Sequence, residues 1–163
     1  MFLNEVIKRA QIKNLFILIF SFFMVACQSQ SVLVESVAKS HQCNNTVKKI
    51  DVIRSAFTLN DLMSNPNVVG SSLSADEYDF ERYLYIFIGA GNKPSAGYRY
   101  EQVGEQAIYT QGKVILPFVL IEPSANMMVA QILTSPCVLL RINRSAVEEV
   151  FDSRPDFILQ DDI

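Results

Sequence analysis

Over its second half, the chain is a succession of short apolar runs separated by turn residues. Tyr83–Ile88 is a continuous run of aromatic and β-branched residues, which is typical of a strand covered on both faces. Tyr98–Val103 alternates between two faces, and Val114–Ile121 follows a Gln111-Gly112 turn. Several short strands at this spacing predict a mainly β fold. We expect a small antiparallel β-sandwich, of which the immunoglobulin-like arrangement is one form, or a small barrel.

One short helix and three further strands complete this prediction. The helix is expected to begin at Thr58, with Asp61 three residues on as in a capping box, and to stop at Asn65-Pro66. The further strands are expected at residues 47–53, 128–133 and 137–142. Residues 144–163 fit either a short helix through Phe151 or a strand, so their fold stays open.

The first residues have the parts of an export signal. Lys8, Arg9 and Lys13 form a basic stretch, and the almost unbroken apolar run Leu15–Val25 follows. This run has eleven residues, whereas a helix that crosses the hydrocarbon core of a membrane needs about 20. A cleaved signal peptide at residues 1–26 is therefore a better interpretation than a permanent transmembrane helix.

Met24-Val25-Ala26-Cys27 resembles the lipobox of bacterial lipoproteins, although methionine stands where leucine is usual. The resemblance implies that the Cys27 thiol receives diacylglycerol, and acyl chains hold a domain stably to a bilayer. Residues 27–34 would be the lipidated tether and residues 35–163 the β domain. Gln28, where an aspartate would favour the inner membrane, indicates the outer membrane of a bacterial envelope. An ordinary signal peptide with a chance cysteine is the alternative.

The chain that follows the signal is acidic. Three of the 14 Lys and Arg residues and one of the 17 Asp and Glu residues precede Cys27, so the remainder has a net charge near −5. This balance argues against nucleic acid or an anionic membrane surface as the main partner. The 137 residues from Cys27 onward are enough for one domain with its own core.

Cys43 and Cys137 form an even pair once Cys27 is assigned to lipid. In an oxidising envelope we expect a disulfide between them, which would close a loop of more than ninety residues. On the chain-entropy model such a bridge is worth about 4 to 5 kcal/mol. Two buried free thiols are the alternative, since zinc binding with His41 would lack a fourth ligand.

The sequence contains no recognisable set of catalytic residues. The single histidine, His41, lies among polar residues, and no Gly-x-Ser-x-Gly elbow is present. Gly89-Ala90-Gly91 follows a strand, but the third glycine of a dinucleotide-binding turn is missing at its spacing. We therefore expect no enzymatic activity, no cofactor, no metal site and no small-molecule ligand.

The loop Lys93-Pro94-Ser95-Ala96-Gly97-Tyr98 is the remaining candidate site. Pro94 stiffens its start, Gly97 permits a positive φ, and Tyr98 brings a large amphipathic ring back to the sheet. Such a loop on a rigid sandwich is suited to binding a partner. The alternative is a hairpin that needs proline and glycine only to turn, and the residues alone favour that reading.

The same loop resembles the PrcB C-terminal domain family, named for an accessory subunit of a bacterial surface protease complex. The resemblance covers residues 40–143. It rests on Asp79-Phe80, on Gly89 with the Lys93–Tyr98 loop, and on Gln131, Thr134 and Pro136. One departure is the four-residue spacing between Gly89 and Pro94. The resemblance implies a non-catalytic binding module that acts as an accessory or regulatory subunit of an envelope protease complex.

A second resemblance concerns this loop alone. Chagasin-type inhibitors of cysteine proteases, which are immunoglobulin-like sandwiches, insert a loop into the protease cleft. The residues at corresponding positions here are Pro94, Ser95, Gly97, Tyr98 and Tyr100, while Lys93 and Ala96 depart from the pattern. Both resemblances imply a partner-binding loop made of Gly89, Lys93, Pro94, Ser95, Gly97, Tyr98 and Tyr100. A structural envelope lipoprotein without a protease partner, and a protease inhibitor, are the alternative functions.

Overall fold

The computed structural model describes residues 30–43, 45–63, 78–147 and 155–163. The predicted signal peptide and the predicted lipidation site Cys27 lie outside these residues. Within them, no helix combines the length and the apolar character needed to cross a membrane.

The described residues are mainly β, as the sequence predicts. The strands are β1 Gln30–Ser40, β2 Lys48–Ile53, β3 Tyr83–Ala90, β4 Arg99–Gln102, β5 Gln106–Thr110, β6 Lys113–Leu116, β7 Phe118–Ile121, β8 Cys137–Asn143 and β9 Asp156–Leu159. One helix, α1, spans Ala56–Met63, and short 3-10 turns lie at Arg144–Ala146 and Gln160–Asp162. Pro117 separates β6 from β7, because proline cannot donate to a strand ladder.

Seven strands are hydrogen-bonded in the order β2-β3-β8-β1-β5-β6-β9, and β4 pairs with β7 in a separate two-stranded sheet. β1 joins the two layers, because its first residues pair with β5 and the rest pair with β8. The register of β1 shifts between Ser36 and Ala38, which is the kind of bulge that bends a strand. The strand pairs are antiparallel except for β6 and β9, which run parallel. The result is a sandwich that nearly closes into a barrel.

The continuous apolar sequence of β3 is explained by the burial of this strand on both faces. Ile86 and Ile88 point into an inner core between the layers, together with apolar residues of β1, β4 to β9 and Val147. Tyr85 and Phe87 point the opposite way, into an outer core. The neighbouring β8 divides in the same manner, with Leu140 inside and Leu139 outside. The continuous apolar run therefore reflects two cores and not one alternating surface.

The outer core is closed by α1 and by a disulfide. Leu59 of α1 is fully buried there, beside Tyr78 and Tyr85. Cys43 and Cys137 are disulfide-bonded in the same cluster, with their Cα atoms 6.0 Å apart. This confirms the pairing that the cysteine count predicts.

The helix begins earlier than predicted, and Thr58 is not its cap. Ser55 precedes the helix, and its Oγ accepts a hydrogen bond from the backbone N–H of Thr58 over 3.3 Å. That is the geometry of an N-terminal cap. Phe57, in the first turn of the helix, is exposed. The predicted stop at Asn65-Pro66 lies outside the described residues.

Two other predictions are wrong in this structure. Residues 30–34 of the predicted tether belong to β1, because Val32 and Val34 pack against the inner core while the backbone pairs with β5. Residues 128–133 form no strand, since their backbone bonds to a loop and their side chains are mostly exposed. For the open C-terminal region, the structure gives a 3-10 turn and then β9, with residues 148–154 outside the described part.

Candidate functional site

The 93–98 loop (Lys93–Tyr98) is fixed by backbone hydrogen bonds to the chain that leads into β8. Lys93 and Thr134 exchange two bonds, N–H to carbonyl, of 2.7 and 3.0 Å. The N–H of Ala96 donates to the carbonyl of Ala130 over 2.9 Å. The Thr134 hydroxyl donates to the carbonyl of Ser95, also over 2.9 Å, and both residues are buried. Backbone groups of Lys93, Ser95 and Ala96 therefore have defined partners outside the loop.

These bonds explain why residues far apart in the sequence form one motif. Thr134 closes the loop from below, and the carbonyl of Pro136 accepts a 2.8 Å bond from the N–H of Ala90 at the end of β3. Gln131 makes only a local bond, from its Nε2 to the carbonyl of Val129 over 3.3 Å. The motif residues thus serve mainly to hold the loop against the sheet.

Both glycines of the motif are required by space or by backbone conformation. Gly97 has a φ of +98°, and a Cβ there would lie 3.0 Å from Cβ of Pro123. At Gly89, inside β3, a Cβ would lie 2.7 Å from Cγ of the buried Asn45. Glycine at these positions therefore permits the close packing of the loop and of the residues before β2.

Tyr98 is the large side chain that the loop leaves accessible. It is half-buried, and Nζ of Lys93 lies 5.5 Å from the centroid of its ring. Its carbonyl accepts a 3.4 Å bond from Nδ1 of His41, which lies just after β1. Pro94 is exposed beside them. The loop therefore offers one aromatic ring and one proline to solvent.

Three of the seven residues predicted for partner binding are buried in this structure. Gly89 lies within β3, Ser95 is 7% exposed, and Tyr100 is 4% exposed in the inner core. They cannot form a contact surface while the domain is folded, because a partner reaches only exposed atoms. A partner-binding role for Lys93, Pro94, Gly97 and Tyr98 stays a prediction. Of the residues that resemble the chagasin-type loop, Ser95 and Tyr100 are therefore not at the surface.

Tyr100 instead lies close to the C-terminal turn. Burial raises the pKa of Tyr100 far above its ordinary value, and the nearby carboxylates of Asp161 and Asp162 raise it further. Asp161 accepts a hydrogen bond from the N–H of Leu120 in β7, and Asp162 forms an ion pair with Lys48 of β2. The last turn thereby bridges β7 and β2 near the phenol.

The 123–133 segment, which packs against this loop, is rich in exposed apolar side chains. It turns at Ser124–Met127 and then runs extended to Thr134. The exposed fractions are 56% for Met127, 101% for Met128, 54% for Ile132 and 65% for Leu133. We call these four residues the apolar strip. Single exposed apolar residues are common on protein surfaces, but four within seven positions indicate an interaction surface.

A cleft of about 350 Å³ lies between the end of β1 and β4. It is lined by Lys39, Ser40, His41, Arg99, Tyr100, Glu101 and Cys137. We call it the basic cleft, because Lys39 and Arg99 supply two positive charges against the one carboxylate of Glu101. Arg99 approaches Glu101 only to 3.5 Å, and both side chains are about half exposed. Such an exposed pair is weak, so Arg99 remains able to meet an external carboxylate.

A second depression of about 590 Å³ lies at the opposite end of β1, near Leu33 and Gln102. Its arginine is already engaged. Arg141 pairs with Glu35 at 2.7 Å and lies 4.6 Å from the ring centroid of Tyr83. The hydrogen bond that Arg141 donates to the Glu35 carboxylate raises the pKa of Arg141. Within the described part of the chain, no group of His, Cys, Asp or Glu side chains is arranged to hold a metal ion.

Comparison with known proteins gives one match. The model of the family described as PrcB C-terminal matches residues 84–143, from the second residue of β3 to the last residue of β8. No curated protein and no solved structure matches the chain. The matched range is shorter than the residues 40–143 suggested by the motifs, but it contains the 93–98 loop, the apolar strip and both strands that share the two cores. Residues 84–143 therefore match the PrcB C-terminal family, which the motifs of the sequence resemble.

Proposed function

We propose that this protein is a non-catalytic accessory or regulatory subunit of a protease complex in a bacterial cell envelope, anchored there by lipid on Cys27. The observation that carries the proposal is the family match over residues 84–143, because the family is named for a subunit of a protease complex. The export signal and the lipobox-like residues 24–27 support the envelope location.

The surface of the domain also suits a binding role. The 93–98 loop is held by hydrogen bonds on its inner side, which leaves Pro94 and Tyr98 on a rigid support. A rigid support lowers the ordering cost of binding. Aromatic rings on such supports are frequent anchors in protein interfaces. A partner would therefore meet this loop without first having to order it.

The test is a crosslinked pulldown from the envelope of a host that processes the protein, read by mass spectrometry. We expect wild type to recover an envelope protease, and Tyr98→Ala to recover much less of it. Val103→Ser is the control, since Val103 is an exposed apolar side chain that lies outside the loop. If neither wild type nor the control recovers a protease, the proposed function is wrong.

The anchor has its own test. Mass spectrometry of the mature N-terminus should find a diacylated or triacylated Cys27, and Cys27→Ser should release the protein from the membrane fraction. A mature chain that begins at Cys27 with a free thiol would contradict the lipid anchor.

A further inference from the structure

We infer that the apolar strip and the basic cleft form one composite docking surface for an acidic, apolar polypeptide segment. This inference rests on the proposed function and deepens it, because it states which surface of the domain the partner occupies and what chemistry the partner brings. The 93–98 loop contacts both parts. Ala96 bonds to Ala130 in the segment that carries the strip, and the carbonyl of Tyr98 accepts a bond from His41, which lines the cleft.

The two parts are joined through the residues that follow β1. The Nε2 of Gln42 donates to the carbonyl of Leu133 over 3.1 Å, and the carbonyl of His41 accepts from the N–H of Ser135 over 3.0 Å. His41 also lines the basic cleft, and Leu133 belongs to the apolar strip. A ligand that lies along this part of the surface therefore meets both.

The positive charge of the basic cleft determines which charged group the ligand carries. Lys39 and Arg99 lie in one cleft of a chain whose part after the signal is acidic by about five charges. A carboxylate is attracted to this cleft and repelled by most of the remaining surface, so the cleft gives the contact its orientation. The apolar strip supplies burial, at about 25 cal/mol for each Å² removed from water. The matching ligand therefore has aliphatic or aromatic side chains next to a carboxylate.

The position of the surface favours a polypeptide over the lipid bilayer. Cys27 is separated from the first residue of β1 by Gln28 and Ser29 only. β1 then runs for eleven residues, which span about 30 Å. The basic cleft and residues 41–42 lie at the far end of that strand. A lipid on Cys27 would hold the near end at the membrane and leave the composite surface facing away from it.

The test measures binding of fluorescein-labelled synthetic peptides to the protein purified from its processing host in detergent. One peptide carries leucine and phenylalanine beside two aspartates, the second has lysine for each aspartate, and the third has serine for each apolar residue. We expect the first to bind at least about tenfold more tightly than either of the others, a difference of about 1.4 kcal/mol.

Variants then assign the contact. Arg99→Glu should weaken the first peptide about tenfold and reduce its preference over the lysine peptide, because the charge of the cleft is reversed. Met128→Ser together with Leu133→Ser should weaken the first peptide without changing that preference. Arg54→Glu and Val103→Ser are matched controls at exposed positions outside the surface, and both should bind as wild type does.

Several outcomes would overturn the inference. These are equal binding of all three peptides, binding that the strip and cleft variants leave unchanged, and strip-dependent binding to lipid vesicles or self-association in place of peptide binding. A pulldown that recovers a protease while no peptide binds would overturn this inference and leave the proposed function standing. Peptide binding without any protease in the pulldown would overturn the proposed function and leave the peptide-docking surface standing.

Discussion

The 93–98 loop and the 123–133 segment lie against each other, but they use their residues in opposite ways. The loop contains most residues of the family motif, and its Ser95 is buried and hydrogen-bonded to the buried Thr134 outside the loop. The segment contains little of the motif, yet it exposes four large apolar side chains. The difference teaches that a family motif can mark the residues that shape a surface, while the side chains that touch a partner lie beside it.

The largest expected effect comes from the bridge beneath both regions. Replacing Cys43 and Cys137 by alanine should lower the free energy of unfolding by about 2 to 5 kcal/mol, because the disulfide closes a loop with a sequence separation of 94 residues. Urea unfolding of the variant and of the reduced wild type measures this effect. The variant and the reduced protein should also bind a partner at the 93–98 loop less tightly. The reason is that residues 41–43 hydrogen-bond to Ser135, next to the Thr134 that holds the loop. Unchanged stability would mean that the packing of the outer core is sufficient without the bond.

Gly97→Ala should cost about 2 to 3 kcal/mol, because alanine at a positive φ is strained and its Cβ meets Pro123. Gly112→Ala is the matched control. Gly112 also has a positive φ, but no heavy atom lies within 4 Å of the position of its Cβ. It should lose about 1 kcal/mol from strain alone. Thermal and urea unfolding give both values, and equal losses would show that the contact with the 123–133 segment is loose.

Thr134→Val should lower stability by about 1 to 3 kcal/mol, because it leaves the carbonyl of the buried Ser95 without its hydroxyl donor. Thr134→Ser keeps the hydroxyl and should lose clearly less. Hydrogen exchange at Ala96 and Lys93 should become faster in the valine variant, since the loop is less firmly held. A valine variant as stable as the serine variant would contradict the structural role of this motif residue.

Tyr100→Phe tests whether Tyr100 packs in the inner core or contacts a binding partner. The raised pKa keeps the folded phenol protonated at a pH where the unfolded chain has already lost the proton. Stability is therefore fully present below about pH 10 and falls above it, by at most about 1.4 kcal/mol per pH unit for one group. Unfolding curves from pH 9 to about pH 11 should show a smaller fall in the phenylalanine variant.

Some alkaline loss should remain in that variant, because burial also raises the pKa of Tyr85. Peptide binding at neutral pH should stay as in wild type, since Tyr100 is only 4% exposed where it lines the basic cleft and phenylalanine keeps its buried ring. Loss of binding with an unchanged alkaline slope would return Tyr100 to the contact surface.

The smallest effect on stability is expected at the apolar strip. Leu133→Ser removes a side chain that is 65% exposed, so the free energy of unfolding should change by less than about 0.5 kcal/mol. Its peptide binding should nevertheless fall. Urea unfolding and peptide titration of the same sample compare the two directly, and a large loss of stability would show that Leu133 packs in a core.

Much of the fold follows from the sequence because its signals are local. The apolar run at β3, the Gln111-Gly112 turn and the even cysteine pair each specify a structure within a few residues or through simple chemistry. The burial of β3 on both faces also follows, since a strand covered on both faces has no polar alternation. The prediction of a mainly β sandwich therefore needed no knowledge of the topology.

The wrong predictions concern segments whose structure depends on which other segment of the chain they pair with. Residues 128–133 have the composition of a strand, but their backbone bonds to the 93–98 loop, and no neighbouring strand covers their side chains. Residues 30–34 are predicted to be a tether, yet they become part of the sheet because β5 pairs with Val32 and β8 pairs with Val34. In the candidate site, Tyr98 is accessible and Tyr100 is buried. Both occupy the same face of one alternating run, so the sequence does not predict this difference in exposure.

The central position of β1 has a mechanical consequence. A pull applied at Gln30 along β1 would load its hydrogen bonds to β5 and β8 in shear, because ladder bonds lie perpendicular to the strand. Bonds loaded in shear resist together instead of opening one by one. Beyond β1, the Cys43–Cys137 bond limits how far the enclosed residues can be drawn out. Tension between a membrane anchor and a partner at the 93–98 loop would therefore pass through β1 and the disulfide without unravelling β2 to β7.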